Sequence, residues 1–138
     1  MTIGFKVKYN WYQIGEPDLF HAFFSTVAFH LENKNWGSRF FTVMNEFYQG
    51  KLTYDQIKPT YNELLIIKEE LKKYPPEKVI WDFDDLSKKA PWGNNISEDI
   101  KDLSDYFVTS DGENLFDLIF RALYKAEQLH CEISVGTI

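Results

Sequence analysis

The chain has 138 residues, 44% of them hydrophobic and 17% aromatic, a length and composition that suit one domain with a real core and argue against disorder. The formal charge of −6 disfavours nucleic acid and anionic membrane surfaces as partners and permits a basic protein partner, but on charge by itself solubility alone is the favoured reading. The single cysteine, Cys131, excludes an intramolecular disulfide and a cysteine-based zinc site, which fits a reducing compartment.

Lys6, Lys8 and Asn10 interrupt the N-terminus before any apolar stretch of signal-peptide length, and no run is long enough to span a bilayer. A cytoplasmic location is therefore expected. Ile3 to Tyr12 alternates with period two and predicts a first strand with one buried face. A helix follows from Pro17 to Glu32, with Pro17 and Asp18 suited to its first turn and Phe20, Phe23, Phe24, Val27 and Leu31 as its apolar stripe.

Arg39 to Tyr48 favours a shorter helix ended by Gly50, since Phe40, Met44 and Phe47/Tyr48 share a face, although Phe41 and Val43 alternate as a strand would. Thr53 and Gln56 match a capping box and open a long helix to about Tyr74, with Ile57, Tyr61, Leu64, Leu65, Lys68 and Leu71 on one side. Pro59 should kink this helix or detach its first turn. Pro75 and Pro76 stop it.

Val79-Ile80-Trp81 then reads as a buried strand, with Asp82, Asp84 and Asp85 at its rim and a turn at Pro91-Trp92-Gly93. Ser97 to Leu103 suggests a short helix capped by Ser97, and Asp105 to Thr109 a strand. Ser110 to Glu113 is a second capping-box pattern, opening a last helix to about Gln128 with Leu115, Phe116, Ile119, Ala122, Leu123 and Ala126 inward. Cys131 to Val135 closes the chain as a strand. The order predicts an α+β fold: a small mixed or antiparallel sheet of about four strands, with helices packed mainly on one face. No linker divides residues 1–138, which are expected to form a single domain.

The chemistry-bearing residues are sparse. Asp82, Asp84 and Asp85 could hold a hard cation, but a calcium loop's mid-loop Gly and closing Glu are missing. Such a cluster more often caps a turn or sits in water, and that reading is favoured; no metal and no cofactor is assigned. His21 and His30 are nine apart, too far for a shared ligand pair on one helix turn. His21 would form an acid–base couple with the aspartates only if the fold brings them together. Cys131 has no sequence-local activating partner and reads as buried filler in the closing strand. No serine stands in a nucleophile-elbow context and no Gly-rich loop cradles phosphate. Trp81 reads as core, whereas Trp36 and Trp92, each before a Gly, suit surface turns.

Several motifs carry a family likeness: Trp11-Tyr12-Gln13-Ile14-Gly15, Asn35-Trp36-Gly37-Ser38, Tyr48-Gln49-Gly50-Lys51-Leu52, Val79-Ile80-Trp81-Asp82, Pro91-Trp92-Gly93 and Tyr106 to Gly112. Together they resemble the immunity protein 70 family of bacterial polymorphic toxin systems. The resemblance implies a small cytoplasmic antidote that binds a cognate toxin domain and blocks it, without catalytic residues of its own. If that toxin is a nuclease, its groove is basic, and Asp82, Asp84 and Asp85 are the expected contact, with Trp92 and Trp36 as apolar anchors. The alternative is a small hydrolase or metal-dependent enzyme using the Asp82/Asp84/Asp85 cluster.

Overall fold

A computed structural model describes residues 1–138. Strand β1 (Ile3–Val7) turns into β2 (Asn10–Gly15), followed by helix α1 (Pro17–Leu31) and a π-helical segment (Thr42–Phe47). Strand β3 (Lys51–Leu52), helix α2 (Tyr54–Leu71), a 3-10 turn (Pro76–Lys78), short α3 (Leu103–Tyr106), α4 (Leu115–Leu129) and β4 (Ile133–Thr137) complete the chain. The four strands form one antiparallel sheet in the order β2-β1-β4-β3, so the two ends of the chain pair at its centre. This is the expected α+β class.

The expected first strand is in fact a hairpin. Its tip is Lys8-Tyr9, with Lys8 at φ 55° and Tyr9 99% exposed. Period-two parity runs straight through such a two-residue turn, and no Gly or Pro marks it. Ile3, Phe5 and Val7 face the core. On the opposite face the Trp11 ring lies over Gly4, where a Cβ would come within 2.6 Å of it.

Helix α1 is the centre of the molecule. Pro at its start sets φ without sacrificing a bonded N–H. Ten of its fifteen residues are buried, so it packs nearly all round and not along one stripe. Phe20 and Phe24 meet Phe5 and Phe47, while Phe23 packs edge-on against Phe107 and Phe116. Glu32, just past the helix, is 3% exposed; its carboxylate accepts the backbone N–H of Gly37, Arg39 and Phe40 at 2.9, 3.0 and 2.9 Å. That single side chain folds the segment carrying Trp36 back onto the core.

The Arg39–Tyr48 helix begins later than expected and has π geometry, turning Val43, Met44 and Phe47 inward. The Glu63 carboxylate caps it by accepting the N–H of Thr42 and Val43. In α2, Gln56 accepts the Thr53 N–H at 2.9 Å, as the capping box requires. The helix ends at Leu71 and continues through Pro59 as one element. Its buried face is Ile57, Thr60, Leu64, Ile67 and Leu71, so Tyr61 and Leu65 point outward.

Helix α4 buries every residue expected of it but is capped by Asn114, whose side chain accepts the Phe116 N–H at 2.8 Å. Ser110 lies instead in the preceding turn, its N–H on the Ile14 carbonyl. The Asp105–Thr109 strand is replaced by α3 and an isolated bridge between Val108 and Asn114. Cys131 is half-buried and precedes the closing strand, which starts at Ile133. No helix is long and apolar enough to cross a membrane.

Candidate functional site

Residues 79–102 form a segment of 24 positions without helix or strand. The expected Val79–Trp81 strand is therefore absent, and so is the helix from Ser97; α3 begins at Leu103, where Asp102 accepts the Ser104 N–H. The apolar run still lies against the core, but its backbone is satisfied by side chains. Ile80 donates its N–H to Thr26 Oγ1 at 3.1 Å, and Phe83 donates to Ser25 Oγ at 2.9 Å. Both hydroxyls belong to buried residues of α1. Buried backbone groups demand partners, and two polar side chains on an otherwise apolar helix supply them.

This anchoring sends successive residues in different directions. Trp81 packs edge-on against Trp92, with ring centroids 5.4 Å apart, and Trp92 Nε1 donates to the Tyr106 hydroxyl at 2.8 Å. Phe83 packs against Trp36 at 5.4 Å. Trp36 also meets Tyr48 at 4.9 Å and donates its Nε1–H to the Met44 carbonyl. Trp36 is thus half-buried and fixed, while Trp92 keeps 42% of its surface open, and Leu86 of the same segment is also exposed.

The three aspartates have separate fates. Asp82 is turned inward with 17% of its side chain exposed. Its Oδ1 lies 3.2 Å from His21 Nε2 and accepts the Asp84 N–H at 2.9 Å, while Lys88 Nζ stands 3.4 Å from Oδ2. Burial opposes ionisation of Asp82, but the Asp84 amide, His21 and Lys88 outweigh it and hold the carboxyl below its usual range. Asp85 is exposed and accepts hydrogen bonds from the Ser87 hydroxyl and amide, which lower its pKa. Asp84 is exposed, and its carboxylate lies within 4.8 Å of the His21 nitrogen and an Asp82 oxygen.

His21 Nδ1 lies 3.0 Å from the Tyr48 hydroxyl. Burial, and then the charges of Asp84 and Asp82, raise the Tyr48 pKa. The fold has therefore made the His21–Asp82 couple, with Tyr48 behind the imidazole. His21 follows directly on Phe20 in the buried stripe, and its only sequence signal was its position near the surface edge of that stripe. Lys88 and Tyr48 gave none as partners. None of the principal surface cavities is lined by His21, Tyr48 or Asp82: an apolar one lies between α2 and α4 at Ile57, Tyr61, Phe120, Leu123 and Tyr124, and another borders the loop at Leu19, Trp81 and Trp92.

A family model described as Immunity protein 70 matches residues 5–135. No curated protein and no solved structure matches the chain.

Proposed function

The chain belongs to the immunity protein 70 family, and from that membership we propose that it binds a cognate toxin domain in the cytoplasm and neutralises it by occlusion. The face we assign to the toxin is the 79–102 segment. One observation carries this choice: a long acidic loop, fixed to the central helix by Ser25 and Thr26, holds apolar side chains open at its rim. Six of its residues are acidic (Asp82, Asp84, Asp85, Glu98, Asp99, Asp102) and three basic (Lys88, Lys89, Lys101). Long loops without secondary structure in a compact protein are commonly binding elements.

In this reading Asp84 and Asp85 meet a basic groove, such as that of a nuclease, and Leu86 and Trp92 supply the apolar contact. Asp82 and Trp36 shape the face from behind. The reading takes residues 1–138 as one domain, supported by a single core cluster running from Ile3 to Ile133. The hydrolase reading draws on the His21–Asp82 couple, but an enzyme site needs a cleft at its reacting groups, and the principal cavities are lined elsewhere.

The test is association with the purified toxin domain. Asp84→Lys with Asp85→Lys should slow association by about tenfold or more at low salt, with the gap closing as salt is added. Trp92→Ala should chiefly speed dissociation. Association unchanged by the double reversal would remove this face from consideration.

A further inference from the structure

The His21 environment carries more than a toxin face requires. His21 projects from α1, and Asp82 and Asp84 arrive from a loop 61 residues further on. One donor atom from each of the three lies within 4.8 Å of the others. Two ligands held at about 2.0–2.2 Å from one ion stand about 3.0–3.5 Å apart in octahedral or tetrahedral geometry. His21 Nε2 and Asp82 Oδ1, at 3.2 Å, already have that spacing. The exposed Asp84 side chain closes the remaining distance by rotation.

The surroundings fit a ligand histidine. A metal-bound imidazole keeps its second nitrogen hydrogen-bonded, which fixes ring orientation and tautomer. Tyr48 stands 3.0 Å from Nδ1, and its hydroxyl both donates and accepts. With no ion, Nε2–H donates to Asp82 and the phenol donates to Nδ1. With an ion on Nε2, Nδ1–H donates to the phenol oxygen, so no group loses its partner. Trp36, Phe83 and Phe24 wall the site, holding Tyr48 in place and limiting water on that side. The competing cation is Lys88, whose side chain is 61% exposed and can leave.

We propose that His21, Asp82 and Asp84 bind a divalent first-row transition ion, with Tyr48 positioning the imidazole and the ion clamping the 79–102 segment to α1. One imidazole and two carboxylates leave positions open for water and select zinc, cobalt or manganese over magnesium and calcium, which prefer all-oxygen sets. The ion would reinforce the Ser25 and Thr26 anchors. It would also neutralise charge behind the loop and withdraw Asp84 from the acids offered to the toxin, leaving Asp85, Glu98 and Asp99 exposed. The site stands independently of toxin binding, because its test uses the isolated chain.

The experiment is calorimetric titration of the full chain with Zn²⁺, paired with the visible spectrum of the Co²⁺ form. One ion per chain is expected, with a dissociation constant of about micromolar or tighter and no displacement by millimolar Mg²⁺. Asp84→Asn, an exposed change that keeps the backbone amide on Asp82, should weaken binding by about tenfold or more, and His21→Gln by at least as much. A chain carrying His130→Gln and Cys131→Ser, which removes the neighbouring His–Cys pair, should bind as the parent does. Absence of binding at about 0.1 mM Zn²⁺, or binding that Asp84→Asn leaves unchanged, overturns the site.

Discussion

Replacing Glu32 by Gln tests whether a single buried carboxylate organises the segment that carries Trp36. Glu32 Oε2 accepts two backbone N–H groups, from Arg39 and Phe40, and Oε1 accepts that of Gly37. Glutamine has the same shape but one acceptor oxygen. Placed to keep Arg39 and Phe40, it turns its NH2 toward the Gly37 N–H, leaving a buried donor facing a donor. That costs about 1–3 kcal/mol, and loss of the charge from the two surviving bonds adds about 1 kcal/mol. The sum of about 2–4 kcal/mol corresponds to a fall in Tm of about 6–14 °C for a chain of this size. Glu70→Gln is the control. Glu70 pairs with Arg39 in the same region, but with 24% and 45% of the two side chains exposed. That pair should contribute within about 1 kcal/mol. Thermal unfolding of both variants by circular dichroism decides the matter: a Glu32→Gln shift no larger than that of Glu70→Gln refutes the role of burial argued here.

Two further predictions concern the Asp82 anchor and Pro59. The Asp82 carboxyl is held below its usual pKa in the fold, so its contribution is complete above the unfolded value of about 3.9 and is lost as pH falls through the folded one. Urea midpoints measured from about pH 6 down to about pH 3 should therefore drop less steeply for Asp82→Asn than for the parent; parallel curves would show that the ties to Asp84, His21 and Lys88 carry no free energy. Pro59 is exposed inside a continuous helix and cannot donate to the Asp55 carbonyl. Pro59→Ala restores that donor and should raise stability by about 1–2 kcal/mol after the gain in unfolded-chain entropy is subtracted. A lower urea midpoint for Pro59→Ala would mean that the ring is packed rather than merely tolerated.

The sequence exposed the elements whose burial is periodic. Helices α1 and α4 were legible because Phe20, Phe23, Phe24, Val27 and Leu31, and Leu115, Phe116, Ile119 and Leu123, repeat at helical spacing against a large core. The direction of α2 was misjudged because Tyr61 and Leu65 looked like core by size, whereas the packed row uses the smaller Thr60 and the neighbouring Ile67. Strand β3 has two residues and leaves no pattern to find. Val79-Ile80-Trp81 resembled a buried strand because it is apolar and bounded by prolines. What replaced the strand partner was a pair of hydroxyls, Ser25 and Thr26, set among phenylalanines on a helix more than fifty residues earlier. The His21–Asp82 contact spans a similar separation, so both halves of the site depended on a docking event that no local window records.

That docking divides stability from recognition. Ser25 and Thr26 are fully buried, and each satisfies a backbone N–H of the loop, so truncating either strands a donor beneath it. Asp84, Asp85 and Leu86 are exposed, and changing their side chains disturbs little of the core, whereas Trp92 is tied to Trp81 and Tyr106. A chain built this way can alter the charge and shape it presents without altering what holds it folded. On the proposed reading of this loop as the toxin-binding face, the partner's preference would reside in a few rim side chains, while the frame that aims them is set by α1. Asp84→Lys, Asp85→Lys and Leu86→Lys together, measured without added metal, should therefore weaken toxin binding sharply and leave the unfolding free energy within about 1 kcal/mol of the parent, whereas Ser25→Ala and Thr26→Val together should lower stability and weaken binding in step.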